Sequence, residues 1–248
     1  MFTKAASFPT GILIVILAVV CLGYAAPIDD FSTPQGPAID STNDGVFTSS
    51  TLNGPIAGTV VPPGGSRVLG VSKTNNASGS VEAEIFPGAA LHDALGAVTS
   101  ALFIEYDNLG GVDLSAFDKL TLTGSIDSSA ASGSGTTLGI LVEDTSLNSA
   151  SSDFVLNAPG PFQQDVPFGD FGGVDLSQIG RLRLGSFNDS GMFVDIPPGG
   201  DITLQQFEAN VEPAAIPEPA SIAMWIIVAA LAACAAWRGR CRKSSVGG

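Results

Sequence analysis

Much of the chain alternates apolar and polar residues with a period of two, which is the spacing of a β-strand with one buried face. In one such segment Val81, Ala83 and Ile85 share one face. Glu82 and Glu84 share the other face, so the segment is predicted to be a strand with one side in water.

Four other stretches carry strand signals. They are residues 101–106, 119–126, 138–142 and 154–156. The first has Leu102, Phe103 and Ile104 in succession and is predicted to be a central strand buried on both sides. Residues 127–137 are a Ser, Gly and Ala segment without an apolar anchor, and a flexible exposed loop is predicted there.

The last strand signal changes phase within one segment. Ile202 and Leu204 share one parity, whereas Phe207 and Ala209 share the other. Both pairs can face the core only if one extra residue interrupts the alternation, so a β-bulge is predicted at residues 205–206.

Turn-forming residues interrupt this part of the chain every eight to twelve positions, and no segment of it keeps a helical period. The pattern predicts an all-β fold, with residues 26–211 as a single β-sandwich domain and 212–216 as a short linker. The hexapeptide Gly-Gly-Val-Asp-Leu-Ser occurs at residues 110–115 and again at 172–177. Because Asp can bond the backbone of its own turn, each copy is predicted to be a turn that leads into a strand.

Three stretches late in the domain carry a family resemblance. They are Phe-Gln-Gln-Asp-Val-Pro-Phe-Gly-Asp-Phe at 162–171, Val-Asp-Leu-Ser-Gln-Ile at 174–179 and Arg-Leu-Arg-Leu at 181–184. The pattern resembles the closing strands of galactose-binding-like jelly rolls, the fold of many carbohydrate-binding modules, and Ile-Asp-Asp-Phe at 28–31 resembles their first strand. The resemblance implies a jelly-roll β-sandwich of roughly eight or more strands.

The same resemblance implies a structural calcium ion near the first strand, bound by hard oxygen ligands. The candidate ligands are Asp29, Asp30, Asp201 and Glu208. No calcium-binding spacing of the EF-hand type accompanies them.

The end of the chain has a three-part order. Pro217, Glu218 and Pro219 precede an apolar run, and a basic cluster follows it. The cluster consists of Arg238, Arg240, Arg242 and Lys243. This order resembles the PEP-CTERM tail of bacterial envelope proteins, which a membrane-embedded protease called exosortase processes. Residues 217–243 are therefore predicted to be a sorting signal, and 244–248 a short tail.

The apolar run within that signal is predicted to be a single transmembrane helix at residues 220–237. At about 1.5 Å per residue it would reach roughly 27 Å, just enough for a hydrocarbon core of ~30 Å. The basic cluster would hold its far end in the cytoplasm.

The start of the chain is predicted to be a signal peptide, residues 1–25. Lys4 precedes an apolar stretch at 11–22, and Gly-Tyr-Ala at 23–25 supplies a small-x-small site, so signal peptidase is expected to cleave after Ala25. The resemblance at the other end then implies export across the inner membrane and transient anchoring there. The final location would be the cell surface or the extracellular matrix.

Charge and cysteine usage restrict the chemistry of the domain. Residues 26–216 contain twenty-three acidic residues against five basic ones, so nucleic acid is excluded as a partner because its phosphates need clustered cations. The three cysteines all lie in the two targeting segments. His92 is the only histidine, which excludes a histidine-based triad or a multi-histidine metal site, and it is predicted to be a surface or packing residue.

Carboxylate pairs remain, because a glycosidase needs only two. The pairs are Asp29 with Asp30, Glu82 with Glu84, Glu105 with Asp107, and Glu143 with Asp144. None matches an acid/base signature, and no catalytic residue is assigned. Both tryptophans, Trp225 and Trp237, lie in the sorting signal, so a sugar-binding platform in the domain would have to rely on Tyr106 and phenylalanines.

These features predict an exported, non-enzymatic surface or extracellular-matrix protein that signal peptidase and exosortase process. A carbohydrate-binding module acting on exopolysaccharide is the alternative, and a secreted hydrolase is the third hypothesis. No cofactor other than the calcium ion is expected.

Overall fold

The computed structural model describes residues 25–211, which form two packed antiparallel sheets. Their thirteen strands are β1 (Ala25–Asp29), β2 (Gln35–Asp40), β3 (Thr48–Asn53), β4 (Ser66–Lys73), β5 (Val81–Phe86), β6 (Ala89–Ala94), β7 (Ser100–Asp107), β8 (Lys119–Ile126), β9 (Thr136–Asp144), β10 (Ser149–Leu156), β11 (Gly160–Pro167), β12 (Ile179–Gly185) and β13 (Ile202–Asn210). A single 3-10 turn at Phe168–Asp170 is the helical part of this region. The predicted all-β sandwich is confirmed.

The first sheet has seven strands in the order β11-β8-β13-β6-β5-β2, with β1 also paired to β13. The second has six strands in the order β10-β9-β12-β7-β4-β3. The alternation along each strand sends one set of side chains into the space between the sheets. Leu122 and Phe207 of the first sheet and Ile104 and Leu182 of the second are at most 1% exposed.

The strand predictions with clear alternation are confirmed. In β5, Val81, Ala83 and Ile85 are buried, whereas the two glutamates between them are partly exposed. The predicted central strand is β7, which lies between β12 and β4, but the prediction that both its sides are buried is wrong, because Phe103, Glu105 and Asp107 are partly exposed. The predicted bulge is also present, because Leu204 pairs with Gly124 whereas Gln206 pairs with Thr123.

The predicted exposure of residues 127–137 holds only for part of the segment, because residues 128 and 132–134 are exposed whereas Ala130, Gly135 and Thr136 are buried. Ala130 is fully buried, its N–H donates to Asp127 Oδ1 at 2.7 Å, and its carbonyl accepts from Thr136 Oγ1 at 2.6 Å. The segment is therefore fastened to the core through a small side chain and its backbone, neither of which gives a hydrophobic signal in the sequence.

The two copies of the repeated hexapeptide have the same local structure and lie side by side. Asp113 Oδ1 accepts from the Ser115 backbone and hydroxyl, and Asp175 Oδ1 accepts in the same way from Ser177. The Leu114 N–H donates to the Leu176 carbonyl at 2.8 Å. Each copy is the predicted turn, and together they close one end of the sandwich.

The predicted targeting segments lie outside the described residues, apart from Ala25. They are the rest of the signal peptide at 1–25, the linker at 212–216, the sorting signal at 217–243 with its helix at 220–237, and the tail at 244–248. Ala25 is the first residue of β1 and pairs with Asn210. Within residues 25–211 there is no helix of the length and apolar character that a membrane crossing requires.

Candidate functional site

The outer face of the six-stranded sheet is the part of the described surface where polar and aromatic side chains converge. On β7 the alternation places Ile104 and Tyr106 in the core, so Phe103, Glu105 and Asp107 point outward. The neighbouring strands are β4 and β12. Their residues that pair with outward-pointing residues of β7 also point outward, so these side chains lie next to one another.

An ion-paired ladder crosses three strands of this face. Arg183 lies directly opposite Glu105 and donates from Nε to Oε2 at 2.7 Å, with a second contact from Nη2 to the same oxygen. Arg181 contacts Asp107 Oδ1 from Nε and Glu143 Oε1 from Nη1, both at 3.2 Å. Two guanidinium groups and three carboxylates therefore form one network across β7, β12 and β9.

The ladder is partly shielded from water, with side-chain exposures from 15% for Glu105 to 33% for Arg181. Burial alone would lower the pKa of Arg181, but the charges of Glu105 and Glu143 outweigh it and the pKa is raised. Its guanidinium is a permanent cation held in one orientation by several acceptors. The face thus presents fixed donors and acceptors rather than mobile ones.

An aromatic cluster adjoins the ladder at one end. The Phe103 ring contacts Phe47 edge to face, with centroids 5.1 Å apart, and Phe193 lies 4.5 Å from Phe47. The Arg183 guanidinium lies 5.8 Å from the Phe103 ring centre, which joins the cluster to the ladder. Phe193 is 40% exposed, and its neighbour Met192 is 63% exposed.

Glycines on the adjacent strands make room for the Phe103 ring. Gly70 is its direct cross-strand partner on β4, and Gly185 is its partner on β12. A methyl group added at Gly70 would lie 2.3 Å from the ring, and one at Gly185 would lie 2.9 Å from the Phe103 Cα. The ring therefore lies low against the sheet, where a larger neighbour would displace it.

A loop at residues 188–193 forms a side wall next to the cluster. The Asp189 N–H donates to Asp153 Oδ2 of β10 at 3.1 Å, and the Ser151 hydroxyl donates to the Asp189 carbonyl. These bonds hold Met192 and Phe193 over the face. We call the strip of this face that runs from the aromatic cluster along the ladder the groove.

The other end of the groove opens into a cavity of about 330 Å³. Arg181, Glu143 and Asp107 line its ladder side, and the turns at Asn108 and Leu147 line its rim. Asn108 and Leu147 have left-handed backbone angles, with φ of 55° and 68°, and Leu147 is 76% exposed. An exposed bulky residue in that conformation is unusual and projects an apolar side chain at the rim.

The four candidate calcium ligands do not converge. Asp29 is fully buried and accepts from Arg67 at 2.6 Å, from the Phe31 N–H at 2.7 Å and from the Tyr106 hydroxyl at 3.0 Å. Asp30 is exposed and accepts from the Ser32 N–H.

The two later candidates, Asp201 and Glu208, lie at opposite ends of β13, about 23 Å apart along the strand. Within residues 25–211 there is no group of three or more His, Cys, Asp or Glu side chains arranged to hold a metal ion.

His92 lies in the core, one of the two placements expected for it. It is 1% exposed, and its Nε2 is 3.0 Å from the Ser100 hydroxyl, while Nδ1 has no partner. Burial lowers the pKa of His92 to about 4. The imidazole is therefore neutral at ordinary pH, and its neighbour Ser100 is fully buried, out of reach of a substrate.

The candidate carboxylate pairs are dispersed over the molecule. Glu82 and Glu84 lie on the outer face of the seven-stranded sheet, beside a separate cavity of about 190 Å³. Asp144 accepts from Asn148 and from the Asp175 N–H, and these bonds hold its pKa below the ordinary value. Glu105 and Asp107 both belong to the ladder. Asp29 is the last residue of β1, and Asp30 follows it.

The sequence did not single out Arg181 and Arg183 as site residues. Their alternation with Leu182 and Leu184 indicated a strand, but their acidic partners lie 38 to 78 positions away in the chain. Only the pairing of β12 with β7 and β9 brings these charges together.

No protein-family profile and no curated protein matches the chain. Among solved structures, the family 11 carbohydrate-binding module of a cellulosomal cellulase from Clostridium thermocellum matches with 12% identity and a TM-score of 0.37, over 75% of this chain and 94% of the module.

Two other solved structures match to a similar degree. The family 30 carbohydrate-binding module of another Clostridium thermocellum cellulase gives 13% identity and a TM-score of 0.40, over 77% and 99% of the two chains. The agarase AgWH50C gives 19% identity and a TM-score of 0.40, over 78% of this chain but 25% of the agarase. At these identities the likeness is one of fold.

Proposed function

We propose that the domain is a non-enzymatic polysaccharide-binding module, and that the groove on the outer face of the six-stranded sheet is its binding site. The observation that carries this proposal is the continuity of the aromatic cluster with the ion-paired ladder. Arg183 of the ladder lies over the Phe103 ring of the cluster, so one ligand lying in the groove would meet an apolar surface and fixed polar groups in succession.

A sugar ring suits that combination because it has an apolar face of C–H groups and a rim of hydroxyls. The C–H face packs on aromatic rings, and the hydroxyls bond to charged donors and acceptors, which give stronger hydrogen bonds than neutral ones. Because the arginines and carboxylates already hold one another in place, ordering them on binding costs little conformational entropy.

Hydrolysis fits the groove less well. A glycosidase needs one carboxyl group that donates a proton and a second that acts as base or nucleophile. Glu105, Asp107 and Glu143 are each engaged by a guanidinium, which makes them acceptors in a structural network. The groove is therefore assigned a binding role.

The proposal also covers the cellular location of the protein. The pattern of the two chain ends supports export, cleavage after Ala25 by signal peptidase, and sorting by exosortase through Pro217, Glu218 and Pro219. A polysaccharide-binding domain delivered in this way would attach to exopolysaccharide at the cell surface. Cell fractionation with and without residues 217–248, followed by mass spectrometry of the mature C-terminus, tests this step. A surface protein that retains Arg238 to Lys243 would exclude processing.

Binding is tested by titrating the purified protein with mixed-linkage β-glucan, agarose and xylan. Phe103→Ala should weaken binding by about tenfold or more, as expected for an aromatic side chain at the centre of a contact surface. Phe86→Ala is the matched control, because Phe86 is 46% exposed on the outer face of the other sheet. Absence of binding to every polymer would reject the proposed function, and equal losses in the two variants would place the site elsewhere.

A further inference from the structure

On the basis of the proposed binding function, we infer that the groove selects uncharged polysaccharides and rejects acidic ones, such as uronate-containing or sulfated polymers. The inference comes from the way the cations of the domain are distributed and paired. A site for acidic polymers needs guanidinium or ammonium groups whose charge is available to the ligand.

The cations outside the groove are engaged within the fold. In the described part of the chain these are Arg67, Lys73 and Lys119. Arg67 is fully buried and forms an ion pair with Asp29. Lys73 is 6% exposed, and its ammonium group donates to the carbonyls of Ser41 and Gly79. Lys119 Nζ lies 2.6 Å from Asp165 Oδ2, and both residues belong to the seven-stranded sheet.

The groove itself carries more negative than positive charge. Arg181 and Arg183 supply two positive charges against the three carboxylates of Glu105, Asp107 and Glu143. Asp153 and Asp189 add two more acidic side chains at the wall. Asp144 lines the cavity at the other end of the groove.

An anionic ligand would therefore meet a double penalty. It would have to approach a surface with net negative charge, and the charge of each guanidinium is already neutralised by the carboxylates paired with it. A hydroxyl meets neither obstacle, because it can donate to the second oxygen of a carboxylate and accept from an unused guanidinium N–H at the same time. The pairing makes the ladder a site for neutral hydrogen-bonding groups.

The test compares each neutral polymer with its own carboxymethylated form, so that backbone and linkage are held constant. The polymers are the mixed-linkage β-glucan, agarose and xylan used above. At an ionic strength of about 0.01 M the native form should bind about tenfold more tightly than the carboxymethylated one. The gap should narrow at about 1 M NaCl, where the Debye length falls from about 30 Å to about 3 Å.

Two double variants separate the charge of the groove from the charge of the whole protein. D107N/E143Q removes two negative charges from the ladder, and E82Q/E84Q removes two from the outer face of the other sheet. The first should raise affinity for the carboxymethylated polymer by about tenfold, since it releases Arg181 to the ligand, whereas the second should change it by less than about twofold. Thermal melting of both variants checks that the fold is kept.

The outcomes distinguish the two proposals. If no native polymer binds, the proposed function itself fails. If a native polymer binds but its carboxymethylated form binds equally well or better, the function stands and the charge selection is wrong. Equal gains in the two double variants would also overturn it, because net charge rather than the ladder would then control binding.

Discussion

Arg67 reaches into the interior between the two sheets, and all its contacts are internal. It donates to Asp29 at 2.6 Å, to Gln35 Oε1 at 2.9 Å and to the Thr33 carbonyl at 2.6 Å. These bonds fasten residues 29–35 of the first sheet to β4 of the second. A single side chain thus fixes the path by which the first strands enter the sandwich.

Arg67→Met is expected to lower the free energy of unfolding by about 3–5 kcal/mol, because it leaves the Asp29 carboxylate buried without its cation. Urea unfolding measures this. Asp29→Leu combined with Arg67→Met should recover part of the loss, since the double variant leaves neither charge of this pair buried. Arg183→Met, at a partly exposed ion pair, should cost about 1 kcal/mol or less. A loss of that small size at Arg67 would contradict the assigned role.

His92 is expected to make the fold less stable in mild acid. Its folded-state pKa of about 4 lies below the unfolded value of 6.5, so between these values the unfolded chain binds the proton and the folded domain does not. The contribution is fully present above pH 6.5 and is lost as the pH falls towards 4, about 2 kcal/mol by pH 5.

The measurement is urea unfolding at pH 7.5 and pH 5 for the protein and for His92→Gln. The variant keeps a hydrogen-bonding side chain near Ser100 but has no titrating group. Acidic groups add a pH dependence of their own, because partial burial raises the pKa of Asp201. The difference between the two proteins isolates the histidine, and an identical pH dependence in both would refute the assignment.

At the level of strands, the sequence predicted the elements whose two faces differ in polarity. β5 and β8 were visible from alternation, β7 from a run of successive apolar residues, and the bulge in β13 from a change of phase. β3, with the sequence Thr-Ser-Ser-Thr-Leu-Asn, lies at an edge of its sheet and carries little apolar alternation.

The candidate site was out of reach of sequence reasoning for a different reason. Its ladder is a cross-strand feature that depends on which strands are neighbours, and its aromatic cluster brings together Phe47, Phe103 and Phe193 from three separate segments. The periodicity of a sequence shows which residues share a face of a strand, but it does not show which strands are neighbours in the sheet. The absence of tryptophan in the domain directed attention to phenylalanines, without indicating which of them are exposed.

Contact between β8 and β13 at the bulge is expected to be sensitive to one methyl group. A Cβ at Gly124 would lie 2.3 Å from the Thr203 carbonyl oxygen, so Gly124→Ala must push the strands apart and should cost about 1–3 kcal/mol. Gly36→Ala in β2 is the control, because nothing lies within 4 Å of the added atom. Thermal unfolding should show a fall of several degrees for the first and little change for the second; equal effects would contradict the packing argument.

For the whole molecule, the two ends of the described chain lie together. β1 and β13 are antiparallel neighbours, with Ala25 opposite Asn210. The Asp118 N–H donates to the Asn210 carbonyl, which places the loop after β7 at the same end. The aromatic cluster lies towards the start of β7, on the side away from Asn210.

The position of β13 also determines how the domain would respond to tension. β13 pairs with β8 at eight positions on one side, and with β1 at four and β6 at three on the other. A pull on the chain beyond Asn210, resisted by a polymer held in the groove, would act along this strand and load the bonds on both sides in shear. An edge strand in the same place would peel away one bond at a time. The described domain therefore ends in a strand that is paired on both sides along its length.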